Sequence, residues 1–511
     1  MGLFPHCETK LPATLQIHPS DNVLVALQPV VKGQSLDGGL TAASDVPFGH
    51  KIALRTIAPG EPVIKYGYSI GVAKCAIAPG AHVHSHNVAS ALAASLQRGG
   101  FKASGATATP GGKDATRTFD GFRRPDGSVG IRNEIWIVNT VGCVNQTAAR
   151  IAEAARQRLA GKYPTLDGIY TMSHPFGCSQ LGADLTATQK LLAALARHPN
   201  AGGVLVLGLG CENNQLQPFL ETLGETTPGR LRSFNAQDVE DEVEYGVQMI
   251  CELAEYASQF KREPVPVSEL IVGMKCGGSD GLSGITANPL VGRIADKLAA
   301  AGGTAILTEV PEMFGAEDVL LRRACAAEVY DATIDLVNDF REYFRKHNEP
   351  IDENPSPGNK EGGITTLAEK SLGCVQKGGT APVAQVLKYG DKAQPGLGAI
   401  ALLNGPGNDG VSGSALSGAG AHMVLFTTGR GNPMGFPAPT VKVATNTPLA
   451  ERKSNWIDFN AGPVADGTAT IDELADKLFD LIVDIASGRS RTRSEINGYR
   501  EISIWKDGVT L

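Results

Sequence analysis

From residue 119 onward, short apolar runs that end in glycine alternate with stretches of helical period, and that alternation leaves few folds open. EIWIVNTV, GIYTM and GGVLVLGLG are too brief for ordinary helices and are bounded as buried parallel strands are. QTAARIAEAARQRLA and DLTATQKLLAALARH, which lie between them, read as helices. Strand and helix in turn give an α/β layer structure with a largely parallel, Rossmann-like sheet. The Pro-containing segment KREPVPVSE (261–269) marks a boundary. A second α/β series follows it: ELIVGMKC, GTAILTEV, AIALLNGP, HMVLFTTG and TVKVATN, with PLVGRIADKLAAA as a helix.

Ahead of this lies a different pattern. VLVALQPV, KIALRTI, PVIKYG, SIGVAKCAI and AHVHSHN are short strands separated by PFGH, APGEP and APGA turns. Residues 99–118 are rich in Gly, Ala, Thr and Pro without apolar period, as a linker is. With 511 residues, more than one domain is expected. The division is a small β domain over 1–98, the linker 99–118, an α/β domain over 119–262 and a second α/β domain over 263–511.

A net charge of −7 with no Lys/Arg cluster argues against nucleic acid as a partner. No apolar run approaches the ~20 residues that span a bilayer. The start MGLFPHCETKLP lacks a signal-peptide pattern, so a cytoplasmic enzyme without membrane attachment is expected. Nine cysteines, an odd number, fit reduced thiols better than a disulfide framework. GxGxxG, GxxxxGK[ST] and GxSxG patterns are absent, which gives no sign of an organic cofactor or a hydrolase elbow. Homo-oligomerisation is left open.

Four constellations could carry chemistry. His82, His84 and His86 alternate, so on a strand they share a face, and neutral imidazoles there suit a cation such as iron or zinc. The bland alternative is an exposed polar strand edge. His50 in PFGHKIAL belongs to the same module. Cys143, Cys178, Cys211 (with Glu212) and Cys276 each follow an apolar run, where open α/β sheets place ligands. None is in a CxxC pair, and small buried hydrophobes are the competing reading. In CGGSDGLSG, Gly277, Gly278 and Ser279 offer backbone N–H groups to a carboxylate, and Asp280 could take a proton or merely cap a helix. Glu309 and Glu312 in TEVPE are acid/base or metal candidates against a plain helix start. ENPSPGNKEGG forms a stiff loop in which Asn359 and Lys360 could reach a substrate, and TTGRGNP sets Gly429 and Arg430 after a strand, where a guanidinium can clamp a carboxylate.

Taken together, GLGCENNQ, KCGGSDGLSGITANP, TEVPEMFGAE, NPSPGNKEGGITTL, KSLGCVQKGG, TTGRGNP and WIDFNAG resemble the altronate/galactarate dehydratase family nearly end to end. HVHSHN and GCENNQ match its altronate-acting branch. The resemblance implies an N-terminal SAF domain of β-clip fold and iron(II), or manganese or another divalent metal, with no organic cofactor. It also implies loss of water across C2 and C3 of D-altronate, giving 2-dehydro-3-deoxy-D-gluconate in hexuronate catabolism. The resemblance does not assign the ligands; the residues themselves put metal on His84 and His86, with His82 as a further candidate, acid/base work on His174 or His50, and substrate orientation on Arg430, Lys360 and the CGGSD turn. Three rivals stand beside it: an iron–sulfur cluster on Cys143, Cys211 and Cys276, a sugar-acid-binding protein without catalysis, and elimination of another group such as sulfite.

Overall fold

Glycines and prolines interrupt every apolar run near the start of the chain, so its strands are short. The structure, a computed structural model, describes residues 13–93, 95–102, 114 and 116–508. The expected linker falls largely outside these residues, as do the first twelve positions. Seven strands come first: β1 (Thr14–Leu15), β2 (Val23–Ala26), β3 (Lys51–Ala53), β4 (Pro62–Lys65), β5 (Tyr68–Ala73), β6 (His82–Val83) and β7 (Val88–Ala89). They pair antiparallel in two small sheets, β1-β2-β3-β6 and β4-β5-β7.

Next come β8 (Thr118–Arg123), β9 (Val129–Gly130), β10 (Glu134–Asn139), β11 (Gly168–Met172), β12 (Ala201–Gly208), β13 (Leu231–Asn235) and β14 (Arg262–Pro266). The order β11-β10-β12-β13 is a parallel sheet. Its helices include Asn145–Arg158 and Gly182–Ala196, where the helical periods lay. The KREPVPVSE segment forms β14, which pairs antiparallel with β8 in a separate sheet, β14-β8-β9.

A seven-stranded parallel sheet completes the fold. It contains β15 (Ile271–Cys276), β16 (Thr304–Leu307), β17 (Val383–Leu387), β18 (Ala399–Leu403), β19 (Met423–Thr428), β20 (Thr440–Ala444) and β21 (Phe459–Asn460). Their order is β17-β18-β16-β15-β19-β20-β21, all parallel. The strand order reverses between β15 and β19, so the carboxyl ends of these two strands flank a crevice, the usual ligand position in such sheets. One apolar core joins Val23, Ile57 and Ile70 of the small β domain to Met274, Leu290 and Leu425 of the large sheet. That shared core seats the β domain against the C-terminal domain. No helix among the described residues is long and apolar enough to cross a membrane.

Candidate active site

The chain leaves β15 through Cys276, Gly277, Gly278, Ser279 and Asp280 and leaves β19 through Gly429 and Arg430. The backbone N–H groups of Gly429 and Arg430 donate to the Gly278 carbonyl at 3.0 and 2.9 Å. A Cβ on Gly429 would stand 2.2 Å from Asp280 Cγ, so only glycine lets the two turns touch. Asp280 accepts bonds from Leu282 N at 3.1 Å, Thr445 Oγ1 at 2.9 Å and Asn446 Nδ2 at 3.2 Å. Burial raises its pKa, while those donors pull the other way. Its contacts are those of a fastener between turns.

The helix Pro357–Glu361 lies across this crevice, capped by Ser356. Asn359 Nδ2 donates to the Ser279 carbonyl at 2.9 Å. Arg430 pairs with Glu361 at 2.9 Å and donates to the Gly358 carbonyl at 3.1 Å. Lys360 is half-buried on the same turn. From the β domain, His50 Nε2 meets the Glu361 carbonyl at 3.0 Å. One short segment thus gathers Gly278, Ser279, Asn359, Lys360, Arg430 and His50 from elements far apart in sequence.

The histidines form a group rather than one strand. β6 stops at Val83, and His84–Asn87 is a turn closed by Asn87 N donating to the His84 carbonyl at 2.9 Å. His50 Nδ1 and His82 Nε2 lie 3.0 Å apart, and the His82 ring stacks on His84 and lies tilted to His86, with centroids at 5.6 and 5.3 Å. His84 Nδ1 meets Thr365 Oγ1 at 3.0 Å. Burial, with Lys51 and the adjoining imidazoles, keeps three of the rings neutral: the pKa is lowered to about 3 at His82 and about 4 at His84, and is lowered also at His50.

Behind the histidines runs a buried chain of charges that sequence reasoning largely missed. The helix Leu367–Cys374 is buried at every position yet carries Glu369, Lys370 and Cys374. Glu369 pairs with Lys51 and Lys65, each at 2.8 Å. Lys370 pairs with Glu312 at 2.8 Å. Glu312 Oε2 receives Cys276 Sγ and Cys374 Sγ at 3.1 and 3.0 Å, and the two sulfurs lie 3.3 Å apart. Lys377 Nζ reaches Cys276 Sγ at 2.9 Å and Glu309 at 3.3 Å. Lys275 links Glu309 at 2.9 Å to Asp409 at 2.7 Å. Burial opposes charge on Glu312 and Glu369, but the adjacent ammoniums prevail and hold both at about 2. Burial lowers Lys51 to about 8 despite Glu369. Burial likewise raises Glu309, which sits in left-handed backbone at φ 69°, a strained place for a non-glycine residue. A cavity lined by Lys65, Ser279, Asp280, Glu369, Lys370 and Cys374 joins these groups to the β15 turn. Cys276, Glu312 and Cys374 form a group that could hold a metal ion, with ligand atoms within 4.8 Å of one another. The sequence signal was available: a lysine inside a buried apolar strand, as at Lys51, Lys65 and Lys275, demands a buried partner.

Other expected residues lie elsewhere. His174 belongs to the second domain, where Nε2 meets the Asn139 carbonyl at 2.8 Å and Nδ1 accepts Phe176 N at 3.1 Å. Both ring nitrogens are spent on backbone. Cys143, Cys178 and Cys211 are exposed on that same domain, and Cys276 is buried beside Cys374. Among the described residues, Cys143, Cys211 and Cys276 do not form a group with ligand atoms within 4.8 Å; the first two follow strands of one sheet and Cys276 ends a strand of another.

Family profiles match the chain in three consecutive blocks. The Altronate/galactarate dehydratase SAF domain covers residues 12–91. The D-galactarate dehydratase/Altronate hydrolase second domain covers 121–258, and the D-galactarate/Altronate dehydratase C-terminal domain covers 267–510. The chain belongs to the altronate/galactarate dehydratase family. It is 48% identical over 505 residues to an altronate dehydratase of Bacillus subtilis (strain 168), covering 97% of this chain and 99% of that one. It is 49% identical over 504 residues to an altronate dehydratase of Escherichia coli (strain K12), again covering 97% and 99%. Likeness to a galactarate dehydratase (L-threo-forming) of the same organism is 34% over 504 residues, covering 96% and 95%. In this dehydratase the SAF domain supplies the histidines and the C-terminal domain supplies the strand-end turns.

Proposed function

We propose that this dehydratase removes water from D-altronate and releases 2-dehydro-3-deoxy-D-gluconate. The observation that carries the reading is the greater likeness, over nearly the whole chain, to altronate dehydratases than to a galactarate dehydratase. The eight described cysteines are all free thiols, which fits a reducing cytoplasm.

Arg430, Lys360 and the N–H groups of the Gly277–Ser279 turn hold the substrate carboxylate. The C2 proton beside that carboxylate is weakly acidic, and removing it drives charge onto the carboxyl oxygens. Fixed cations and backbone donors aimed at those oxygens favour the charged state over the ground state. His50 keeps Nε2 on the Glu361 carbonyl, and its Nδ1, neutral because it is buried, takes the C2 proton in exchange for its bond to His82. The C3 hydroxyl leaves as water on receiving that proton from His50, and the resulting enol tautomerises to the 2-keto acid. An iron(II), manganese or similar dication, when bound, would add Lewis-acid stabilisation of the same charge.

The histidine group suits that ion: His82 and His84 are uncharged donors, and the His86 ring lies beside them on the same side of the site. Cys276, Glu312 and Cys374 are more tightly set, but the ammoniums of Lys370 and Lys377 already neutralise them. The test is a panel of aldonates and aldarates, assayed for 2-keto acid with chelator-treated and iron(II)-reconstituted enzyme. Altronate turnover that is lost on chelation and restored by iron(II) is expected. Equal rates in both forms, or no turnover of any aldonate, would overturn the reading.

A further inference from the structure

The second domain contains an arrangement that the dehydration site does not use. Three Gly-Cys dipeptides, Gly142-Cys143, Gly177-Cys178 and Gly210-Cys211, follow β10, β11 and β12. These three strands are adjacent and parallel in the order β11-β10-β12, so the three thiols emerge from neighbouring carboxyl ends of one sheet. All three are exposed and free.

The loops that carry them are locked together. Gly142 N donates to the Phe176 carbonyl at 2.8 Å, and Asn214 N donates to the Gly177 carbonyl at 3.0 Å. Ser179 N donates to Asn213 Oδ1 at 2.7 Å. Glu212 accepts Thr140 Oγ1 at 2.6 Å and Gly210 N at 2.6 Å. A Cβ on Gly142 would meet the His174 carbonyl at 2.7 Å, and one on Gly177 would meet the Thr140 carbonyl at 2.1 Å. Each glycine thus lets its neighbouring cysteine stand close to the next loop. Ser179, directly after Cys178, is held at φ 56°.

A second observation points to a missing ligand. Asn139 Oδ1, Gln180 Nε2, Asn214 Oδ1 and Asn235 Oδ1 are buried polar atoms without a partner, and all lie at this strand-end edge. Buried polar atoms are ordinarily satisfied, so four orphans at one edge call for polar or ionic material beside them.

We propose that Cys143, Cys178 and Cys211 bind a sulfide-bridged iron cluster, leaving one iron without a protein thiolate. Three thiolates are soft ligands suited to iron–sulfur assembly. A single tetrahedral zinc would need its sulfurs within about 4 Å of one another. Among the described residues, the trio with ligand atoms within 4.8 Å is Cys276, Glu312 and Cys374, so the three exposed thiols stand wider than one ion spans. Neighbouring strands are about 4.8 Å apart, a spacing that spreads the thiols around a polynuclear cluster. Each thiol gives up its proton on ligation, and two ferrous ions, two ferric ions and four sulfides supply the rest, so no further oxidant is needed. The uncovered iron faces solvent, open to a carboxylate or hydroxyl oxygen.

The full chain, purified without oxygen and incubated with ferrous iron, ferric iron and sulfide, tests this directly, with no reference to turnover. Expected are broad visible absorbance and about four irons with matching acid-labile sulfide per chain after desalting. Cys143→Ser, Cys178→Ser and Cys211→Ser should each reduce both to background while leaving the thermal midpoint unchanged, since the side chains are exposed. Cys276→Ser and Cys374→Ser should retain the cluster. Iron bound without sulfide, a colourless protein, or a cluster that survives Cys178→Ser would each overturn the proposal.

Discussion

Glu369 holds two ammonium groups wholly out of solvent, and that makes it the most exposed point of failure in the site. Removing one member of a buried ionic group strands its partners and costs about 3–5 kcal/mol. Glu369→Ala should therefore lower stability by that amount in urea denaturation, with Lys51 and Lys65 left unpaired. The same residue sets an acid limb. Glu369 and Glu312 are held at about 2 when folded, against an ordinary 4.5. Their contribution is full above the unfolded value and disappears as pH falls through the folded one. Unfolding free energy should begin to fall below about pH 6.5, where His82 and His84 take protons only when unfolded, and fall further between roughly 4.5 and 2 as Glu369 and Glu312 are protonated, with that lower part shallower in Glu369→Gln. Arg430 is a contrasting case. It is half exposed, and its pair with Glu361 contributes little to the fold. Arg430→Ala should leave stability within about 1 kcal/mol, yet reduce kcat/KM about a hundredfold, because orientation of the carboxylate is lost. Near-normal turnover in that variant would remove the clamp assignment.

At the scale of elements, the crevice exists because two turns leaving β15 and β19 interlock. The interlock depends on a missing side chain at Gly429, where a Cβ would lie 2.2 Å from Asp280 Cγ. Gly429→Ala should push the turns apart, displacing Arg430 and the Gly277–Ser279 donors together. Substrate binding should suffer along with turnover, and the thermal midpoint should drop as Asp280 loses its place among Thr445 and Asn446. A variant with unchanged KM would show that the turns tolerate separation. The helix Leu367–Cys374 has a related role. Being buried on every side, it can carry Glu369, Lys370 and Cys374 into the interior only because each meets an opposite or polar partner there.

At the scale of the whole molecule, the chain returns on itself. Arg500 near the C-terminus forms two bonds to Glu134 at the start of β10, at 2.9 and 2.7 Å, and Arg132 meets Glu495 at 2.7 Å. Glu134 is buried, so Arg500→Ala should destabilise by about 3–5 kcal/mol and loosen the second domain against the C-terminal domain. Hydrogen exchange localised to β10 and β11 would report it. Local pattern alone was enough to read the alternating α/β layers, the short strands of the small β domain and the helices Asn145–Arg158 and Gly182–Ala196, because periodicity and turn residues act over a few positions. The strand-end placement of Cys276, Ser279 and Arg430 followed from the same runs. What the sequence left open was company. Lys51, Lys65 and Glu369 come from segments about three hundred residues apart, and Cys374 meets Cys276 across ninety-eight. His50 reaches the Glu361 carbonyl only because the small β domain shares a core with the large sheet. Such encounters are decided by strand order and domain packing, which no local period encodes. Tertiary structure also gave both ring nitrogens of His174 backbone partners and set Cys143 and Cys211 on a different parallel sheet from Cys276.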